Sequence, residues 1–262
     1  MKTAIGQMQV GPLDKPEDNM AEACRLARDA AAAGARLLLL PEGCLTGNAL
    51  TDPARQAALP AEPGAFAPLS RIARQTGITL CAGFTTRVDG GFTVAHAILL
   101  PDGAVRFQHK AFRASGEPKH LKAWPDPARA PFTVDGRTVI IAICSEFGPG
   151  VIMDEVLRCK PDLILHPSAG RMKEEEVWQA GRDQDPPVRN FLSNCRTVVE
   201  KAAQNPLAAG IPRLSANPVG FDGETWWPGN AYALSGAGAI LAWVEGENRP
   251  EKMISRLGFA DL

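Results

Sequence analysis

The chain has 262 residues, of which 45% are hydrophobic, and is long enough to bury a substantial core. Its 28 lysines and arginines nearly balance its 29 aspartates and glutamates, so the formal net charge is only −1. This balance, with no block of like charge, argues against nucleic acid or an anionic membrane surface as a partner, since both attract strongly basic proteins.

Residues 1–10 mix apolar and polar side chains and do not show the charged leader and apolar run of a secretory signal. No apolar run approaches the roughly 20 residues that span a bilayer. We therefore expect a cytoplasmic protein that does not associate with membranes.

Cysteine and histidine usage predicts neither a disulfide framework nor a metal site. None of the six cysteines shows the short paired spacing of a zinc site or of a small disulfide-rich domain. The four histidines are scattered, and no glycine-rich phosphate loop is present. We therefore expect no metal and no cofactor.

The first half of the chain predicts helices and strands in alternation. An alanine-rich stretch favours a helix that ends at Gly34, and the wholly apolar run 35–40 is typical of a strand covered on both faces. Strands are predicted over 3–10, 35–40, 78–85, 92–100, 104–109 and 138–144, and helices over 19–33, 66–76 and 150–159.

The second half is richer in hairpins. A strand over 162–166 and a helix over much of 188–205 flank the charged surface segment 171–187. Further strands are predicted over 211–216, 230–235, 239–244 and 252–259. Because no segment is of low complexity and no internal repeat is present, residues 1–262 are interpreted as a single mixed α/β domain.

Three reactive side chains stand at the ends of predicted strands, namely Glu42 and Cys144 after apolar runs and Lys110 at the close of the strand-like run 106–110. Ligands of open α/β sheets bind outside the carboxyl ends of the strands, so these groups are candidates for one shared pocket. A carboxylate that accepts the thiol proton makes a cysteine nucleophilic, and an ammonium stabilises the negative charge formed by attack on an amide or nitrile carbon. The alternative is that the two charged residues are ordinary solvated residues and the cysteine belongs to the core.

Five motifs surround these positions in order along the chain. They are Leu-Pro-Glu-Gly-Cys-Leu-Thr-Gly at 40–47, His-Lys at 109–110 with Gly-Glu at 116–117, Ala-Ile-Cys-Ser-Glu at 142–146, Pro-Asp-Leu-Ile-Leu-His-Pro-Ser-Ala at 161–169 and Ala-Asn-Pro-Val-Gly at 216–220. In residue type, order and spacing, the chain resembles the carbon–nitrogen hydrolase (nitrilase) superfamily over essentially its whole length, as an amidase-like member.

The resemblance implies a four-layer α-β-β-α sandwich and a covalent mechanism without a cofactor. It makes Cys144 the nucleophile and Glu42 the general base, which later activates water. Lys110 and the backbone N–H of Ser145 would stabilise the tetrahedral intermediate, and Glu117 would position the site by hydrogen bonding. Candidates for the oxyanion and substrate-binding part of the site are Ser145, Glu146, His166 and Ser168.

The reaction expected from this resemblance is cleavage of a non-peptide C–N bond in a small amide or N-carbamoyl compound, releasing ammonia or an amine and an acid. Two alternatives remain open: hydrolysis of nitriles, and a non-catalytic or acyl-transferring relative that binds such ligands. The complete set of reactive residues favours a hydrolase. The superfamily also leads us to expect a homodimer or a higher homo-oligomer.

The chain departs from the superfamily pattern at several positions. Ser145 stands where an aromatic residue is common, and Ala231 stands where a serine is usual. Lys201 and Gln204 replace the arginine and glutamate of an Arg-Ala-x-Glu-Asn motif, which weakens an internal ion pair. These changes put the identity of the substrate in question more than the type of reaction.

Three further hypotheses concern neighbouring residues. Cys44 is a competing nucleophile, although no apolar strand leads directly into it, and structural filler is the favoured interpretation. His166 is a candidate for a Cys–His dyad with Cys144, but a strand-end histidine packed beside a site is commoner. Glu146 is interpreted as a structural carboxylate, and segment 171–187 as either a solvated face or a lid.

Overall fold

The computed structural model describes residues 1–10, 16–47, 57–114, 117–147, 153–171, 186–204, 210–223, 225–247 and 252–262, without the side chains of residues 16 and 186–194. Over these residues the chain forms two six-stranded sheets and a separate two-stranded hairpin. No helix among them is long and apolar enough to cross a membrane.

The first sheet comprises β1 (Lys2–Gln7), β2 (Leu37–Leu39), β3 (Thr79–Val88), β4 (Gly91–Leu99), β5 (Val105–His109) and β14 (Arg256–Asp261). Its strand order is β14-β1-β2-β3-β4-β5. The three strands β1, β2 and β3 are parallel, whereas β14, β4 and β5 run antiparallel to their neighbours. A two-residue turn joins β3 to β4, with Gly90 at a φ of 73° that glycine adopts readily.

The second sheet comprises β6 (Phe132–Val134), β7 (Arg137–Ile141), β8 (Leu163–Pro167), β9 (Arg213–Ala216), β12 (Ala231–Leu234) and β13 (Ile240–Val244). Its strand order is β13-β12-β9-β8-β7-β6, and β7, β8 and β9 are parallel. The hairpin consists of β10 (Val219–Phe221) and β11 (Trp226–Pro228). Each sheet therefore has a parallel centre whose strands end at a common edge.

Alternating side chains give the two sheets a shared core. In β2, Leu37 and Leu39 point into the space between the sheets, while Leu38 points to the opposite face. In β7, Val139 and Ile141 enter the same space. Burying each such aliphatic side chain contributes about 1.5–3 kcal/mol, so this core holds the sheets face to face.

Helices cover the outer faces of both sheets, and they are α1 (Pro16–Ala32), α2 (Ala67–Thr76), α3 (Met153–Cys159) and α4 (Pro186–Ala203). The buried residues of α1 and α2 pack on the outer face of the first sheet. On the second sheet, Val156 of α3 packs on β7 and β8, and Val199 of α4 packs on β12. These layers confirm the four-layer α-β-β-α sandwich.

Most predicted elements are present, with boundaries shifted by a few residues. The strand predicted over 252–259 begins later, at Arg256. Strands β6, β10 and β11 were not predicted, because each has only three residues and shows no readable periodicity. Most of the charged segment discussed as a lid lies outside the described residues, which omit 172–185.

Candidate active site

Glu42, Lys110 and Cys144 lie close together where strands of both sheets end. They follow β2, β5 and β7, respectively, and Cys144 opens a short 3-10 turn. The Nζ atom of Lys110 lies 2.8 Å from Oε1 of Glu42, and both residues are at most 4% exposed. The fold thus brings together three groups that are far apart in sequence.

Glu117 joins the same cluster. One of its carboxylate oxygens accepts a hydrogen bond from Nζ of Lys110, and the other accepts the backbone N–H of Ala114 at 2.9 Å. Burial opposes the charge on Lys110, but Glu42, Cys144 and Glu117 together raise the pKa of its ammonium above the ordinary value. Lys110 is therefore a fixed cation between two carboxylates.

The Cys144 thiol is held in its protonated form. Burial, followed by the charge of Glu42, raises its pKa to about 12, although Lys110 and the backbone N–H of Ala169 oppose this shift. Glu42 is the carboxylate whose proximity contributes to this shift. Formation of a thiolate therefore requires transfer of the proton, and Glu42 is the neighbouring base that can accept it.

The backbone at Cys144 is in the left-handed region, with a φ of 50°. A non-glycine residue in this region costs of order 1–3 kcal/mol and persists only where the surroundings fix it. The Nε2 atom of His166 lies 3.1 Å from the carbonyl oxygen of Cys144, which is one such fixing contact. The turn thus presents the thiol in a strained but held conformation.

His166 contacts the backbone of Cys144 and not its thiol. Burial, with Arg213 as the next cause, lowers the pKa of His166 to about 3, so the ring is neutral. Because a carbonyl oxygen only accepts, Nε2 carries the proton; it also lies 3.3 Å from Oγ of Ser168. No hydrogen bond joins the ring to Sγ in the described structure, so the geometry does not support a Cys–His dyad.

The side chains of Ser145 and Glu146 are engaged in structural contacts. The Ser145 hydroxyl donates to the carbonyl oxygen of Phe112 at 3.0 Å. The Glu146 carboxylate accepts the backbone N–H of Ile143 at 2.7 Å and is paired with Arg129. This agrees with the structural interpretation of Glu146, whereas Arg129 was not among the sequence candidates because nothing marks it within a polar loop.

A cavity of about 500 Å³ opens beside Cys144. Its size suits a small molecule. The described residues that line it include no carboxylate, and its charged member is Arg171. The rest of the wall exposes mostly apolar surface and includes several neutral polar residues, among them Ser145, His166, Ser168, Ser215, Asn217 and Tyr232. Cys144 belongs to both the charged cluster and this wall, so it is the cluster residue that a molecule in the cavity meets.

Cys44 occupies a different environment from Cys144. It is fully buried in the core between the first sheet and its helices, and burial raises its pKa to about 12. Its Sγ lies 3.5 Å from the carbonyl oxygen of Gly83. Cys44 therefore belongs to the core on the helix side of the first sheet, which fits a structural role.

The other positions of interest add no charged group to the cluster. Within the described ranges, no three histidine, cysteine, aspartate or glutamate side chains are grouped to hold a metal. Ala231 is buried in the core between the sheets. Lys201 and Gln204 are exposed near the end of α4, where Arg213 donates to the carbonyl oxygen of Ala202 at 2.8 Å.

The fold is similar to that of solved amidases from Nesterenkonia. A cysteine-to-alanine variant of the Nesterenkonia AN1 amidase from the nitrilase superfamily is 21% identical, with a TM-score of 0.75, and the match covers 100% of this chain and 90% of that chain. An amidase from Nesterenkonia sp. is 23% identical, with a TM-score of 0.74 and the same two coverages. At these identities the similarity shows the fold.

A third structure is a glutamate-to-glutamine variant of the Nesterenkonia sp. AN1 amidase that shows Michael addition of acrylamide at its active-site cysteine. It is 22% identical, with a TM-score of 0.72, and the match covers 100% of this chain and 93% of that chain. No curated protein sequence matches significantly. The Carbon-nitrogen hydrolase family profile matches residues 2–155, more than half of the chain, and this range includes the whole charged cluster. The chain therefore belongs to the carbon-nitrogen hydrolase family.

Proposed function

We propose that this protein is a cofactor-independent thiol amidase that cleaves the C–N bond of a small amide or N-carbamoyl compound. The observation that carries the proposal is the buried cluster in which Lys110 lies between two carboxylates and Cys144 lies beside Lys110 and Glu42. A nucleophile, a base beside it and a fixed cation are the parts that acyl transfer requires.

In the acylation step, Glu42 takes the thiol proton as Sγ of Cys144 attacks the amide carbon. An S–C bond forms, and the carbonyl electrons move to oxygen. The Lys110 ammonium and the backbone N–H of Ser145 stabilise this oxyanion. When the tetrahedral intermediate collapses, the C–N bond breaks and the nitrogen takes the proton from Glu42. Ammonia or an amine departs, and the acyl group remains on Cys144 as a thioester.

In the deacylation step, Glu42 removes a proton from water, and the resulting hydroxide adds to the thioester carbon. The second intermediate collapses with cleavage of the S–C bond, and the proton returns from Glu42 to Sγ of Cys144. The acid is released and the starting thiol is restored. Glu117 holds the Lys110 ammonium in place with one carboxylate oxygen, while its other oxygen accepts the backbone N–H of Ala114.

The structural neighbours support an amide over other substrates. In one of them, acrylamide is attached at the active-site cysteine by Michael addition, so that cysteine is a nucleophile reached by a small amide. The cavity beside Cys144 suits a molecule of the same size class. Hydrolysis of nitriles would use the same residues and is tested alongside.

The test is ammonia or amine release over a panel of aliphatic amides, ω-amides of dicarboxylates, N-carbamoyl amines and nitriles. We expect turnover of at least one amide or carbamoyl compound by the wild-type protein, loss of turnover in Cys144→Ala and retention in the matched control Cys44→Ala. Absence of turnover across the panel, or equal activity of Cys144→Ala and wild type, would overturn the proposal.

A further inference from the structure

A buried ion pair lies beside the catalytic cluster without being part of it. Nη2 of Arg129 and Oε1 of Glu146 are 2.5 Å apart, and the two side chains are 1% and 0% exposed. Burial raises the pKa of Glu146 above its ordinary value, although Arg129 and two backbone N–H groups oppose this shift. Removing one partner from a buried pair of this kind destabilises the protein, because the remaining charged group stays desolvated without a hydrogen-bond partner.

The carboxylate of Glu146 links the backbone segments that carry the nucleophile and the cation. Its Oε2 accepts the N–H of Ile143, the residue before Cys144, at 2.7 Å. Its Oε1 accepts the N–H of Ala111, the residue after Lys110, at 2.5 Å. One side chain therefore holds the two segments at a fixed separation.

Arg129 holds the other side of the Lys110 segment. Its Nη1 lies 3.4 Å from the carbonyl oxygen of His109, the residue before Lys110. The His109 ring in turn stacks on Trp124, with ring centroids 3.9 Å apart. The peptide groups on both sides of Lys110 thus converge on the pair that Arg129 forms with Glu146.

Helix α3 anchors Arg129 from outside the site. The backbone N–H of Arg129 donates to Oε2 of Glu155 at 2.6 Å, and its carbonyl oxygen accepts a hydrogen bond from Arg158. Arg158 is itself paired with Glu155 at 2.7 Å. Arg129 is therefore held at its backbone as well as at its side chain, so its guanidinium has a defined position.

We propose that Arg129 is a positioning residue that, through Glu146, sets the distance between the Lys110 ammonium and the Cys144 thiol. The inference deepens the proposed amidase function and rests on it. Arg129 forms no hydrogen bond to Nζ of Lys110 or to Sγ of Cys144 in the described structure, so it acts through the backbone. A displacement of about 1 Å at a catalytic group costs on the order of 100-fold in rate.

The experiment compares Arg129→Met and Arg129→Lys with wild type. Leu26→Ala is the matched control, because Leu26 is buried in the core between α1 and the first sheet and its loss destabilises the fold away from the site. For each folded variant, kcat and KM are measured on the best amide, at a temperature where circular dichroism shows full folding. Alkylation of Cys144 by iodoacetamide is followed in parallel by peptide mass spectrometry.

For Arg129→Met we expect kcat to fall about 100-fold while KM changes less than about threefold. Arg129→Lys keeps the charge but not the forked geometry, so its kcat should be about tenfold higher than that of Arg129→Met. Leu26→Ala should retain kcat within about twofold, since it leaves the site geometry unchanged. A folded Arg129→Met with kcat within about threefold of wild type would show a purely structural role and overturn the proposal.

The alkylation rate separates this inference from the proposed function. If the wild-type protein releases ammonia from no compound of the panel, the amidase proposal fails. Slower alkylation of Cys144 in Arg129→Met, by about tenfold, would still support the positioning role, because a displaced ammonium stabilises the thiolate less. Equal alkylation rates in the two proteins would overturn it.

Discussion

Replacing Lys110 with methionine tests how the catalytic cluster is held together. Lys110→Met keeps most of the side-chain volume but removes the cation that contacts both Glu42 and Glu117. Breaking a buried ion pair by removing one partner costs about 3–5 kcal/mol. Since two neighbouring carboxylates are able to share a proton, we expect the lower end of that range, about 3 kcal/mol.

The expected loss has a defined pH dependence. Because the folded state raises the pKa of Lys110 above its ordinary value of 10.5, the stabilisation is fully present below pH 10.5 and declines as the pH rises further. Lys110→Met lacks this group, so its difference in stability from wild type should be constant below pH 10.5 and should narrow as the pH rises above that value.

Urea unfolding at about pH 8 and above pH 10.5, together with ammonia release, provides the assays. Loss of a group that stabilises an oxyanion lowers kcat by about 100- to 1000-fold. Lys2→Met is the control, because it removes a hydrogen bond to the carbonyl oxygen of Ala33 and a cation–π contact with Phe259 and should cost about 1–2 kcal/mol. Wild-type stability of Lys110→Met at about pH 8, or kcat within about tenfold of wild type, would refute the reasoning.

Three further predictions concern the surroundings of the cluster. A Cβ at Gly83 would overlap the backbone on either side of Glu42, so Gly83→Ala should cost about 1–3 kcal/mol in urea unfolding and lower kcat. Burial lowers the pKa of His96 to about 4; the unfolded state therefore binds more protons below pH 6.5, and stability should fall by up to about 3 kcal/mol between pH 6.5 and 4. His96→Gln should flatten this slope, and an unchanged slope would contradict the assignment. Ser145→Ala removes the hydroxyl contact to Phe112 but keeps the backbone N–H, so kcat should fall less than about tenfold; a larger loss would mean that the hydroxyl contacts the substrate.

The sheet centres could be predicted from sequence because their strands are short, wholly apolar runs between turn signals. The run around Leu37 and the run around Ile140 both became parallel central strands. The edge strand β6 and the hairpin of β10 and β11 could not be predicted from sequence. Each of these strands has only three residues, which show no periodicity, and their pairing depends on distant partners. Strand order across the sheets likewise depends on contacts that local sequence does not encode.

The cluster was predictable in membership but not in geometry. Glu42, Lys110 and Cys144 stood out because reactive side chains stood at the ends of predicted strands. The sequence did not reveal that His166 contacts the backbone carbonyl of Cys144, since this depends on the packing of neighbouring strand ends. Arg129 was missed for a related reason: a polar loop gives no sign that one of its arginines is buried.

The central claim is that hydrolysis proceeds through a thioester on Cys144. The most direct test is to react an amide and the methyl ester of the same acid with the enzyme in the presence of a fixed concentration of hydroxylamine, and to measure acid and hydroxamate. A common thioester predicts the same ratio of acid to hydroxamate from both substrates, and neither product above background with Cys144→Ala. Different ratios, or undiminished products with Cys144→Ala, would contradict the account.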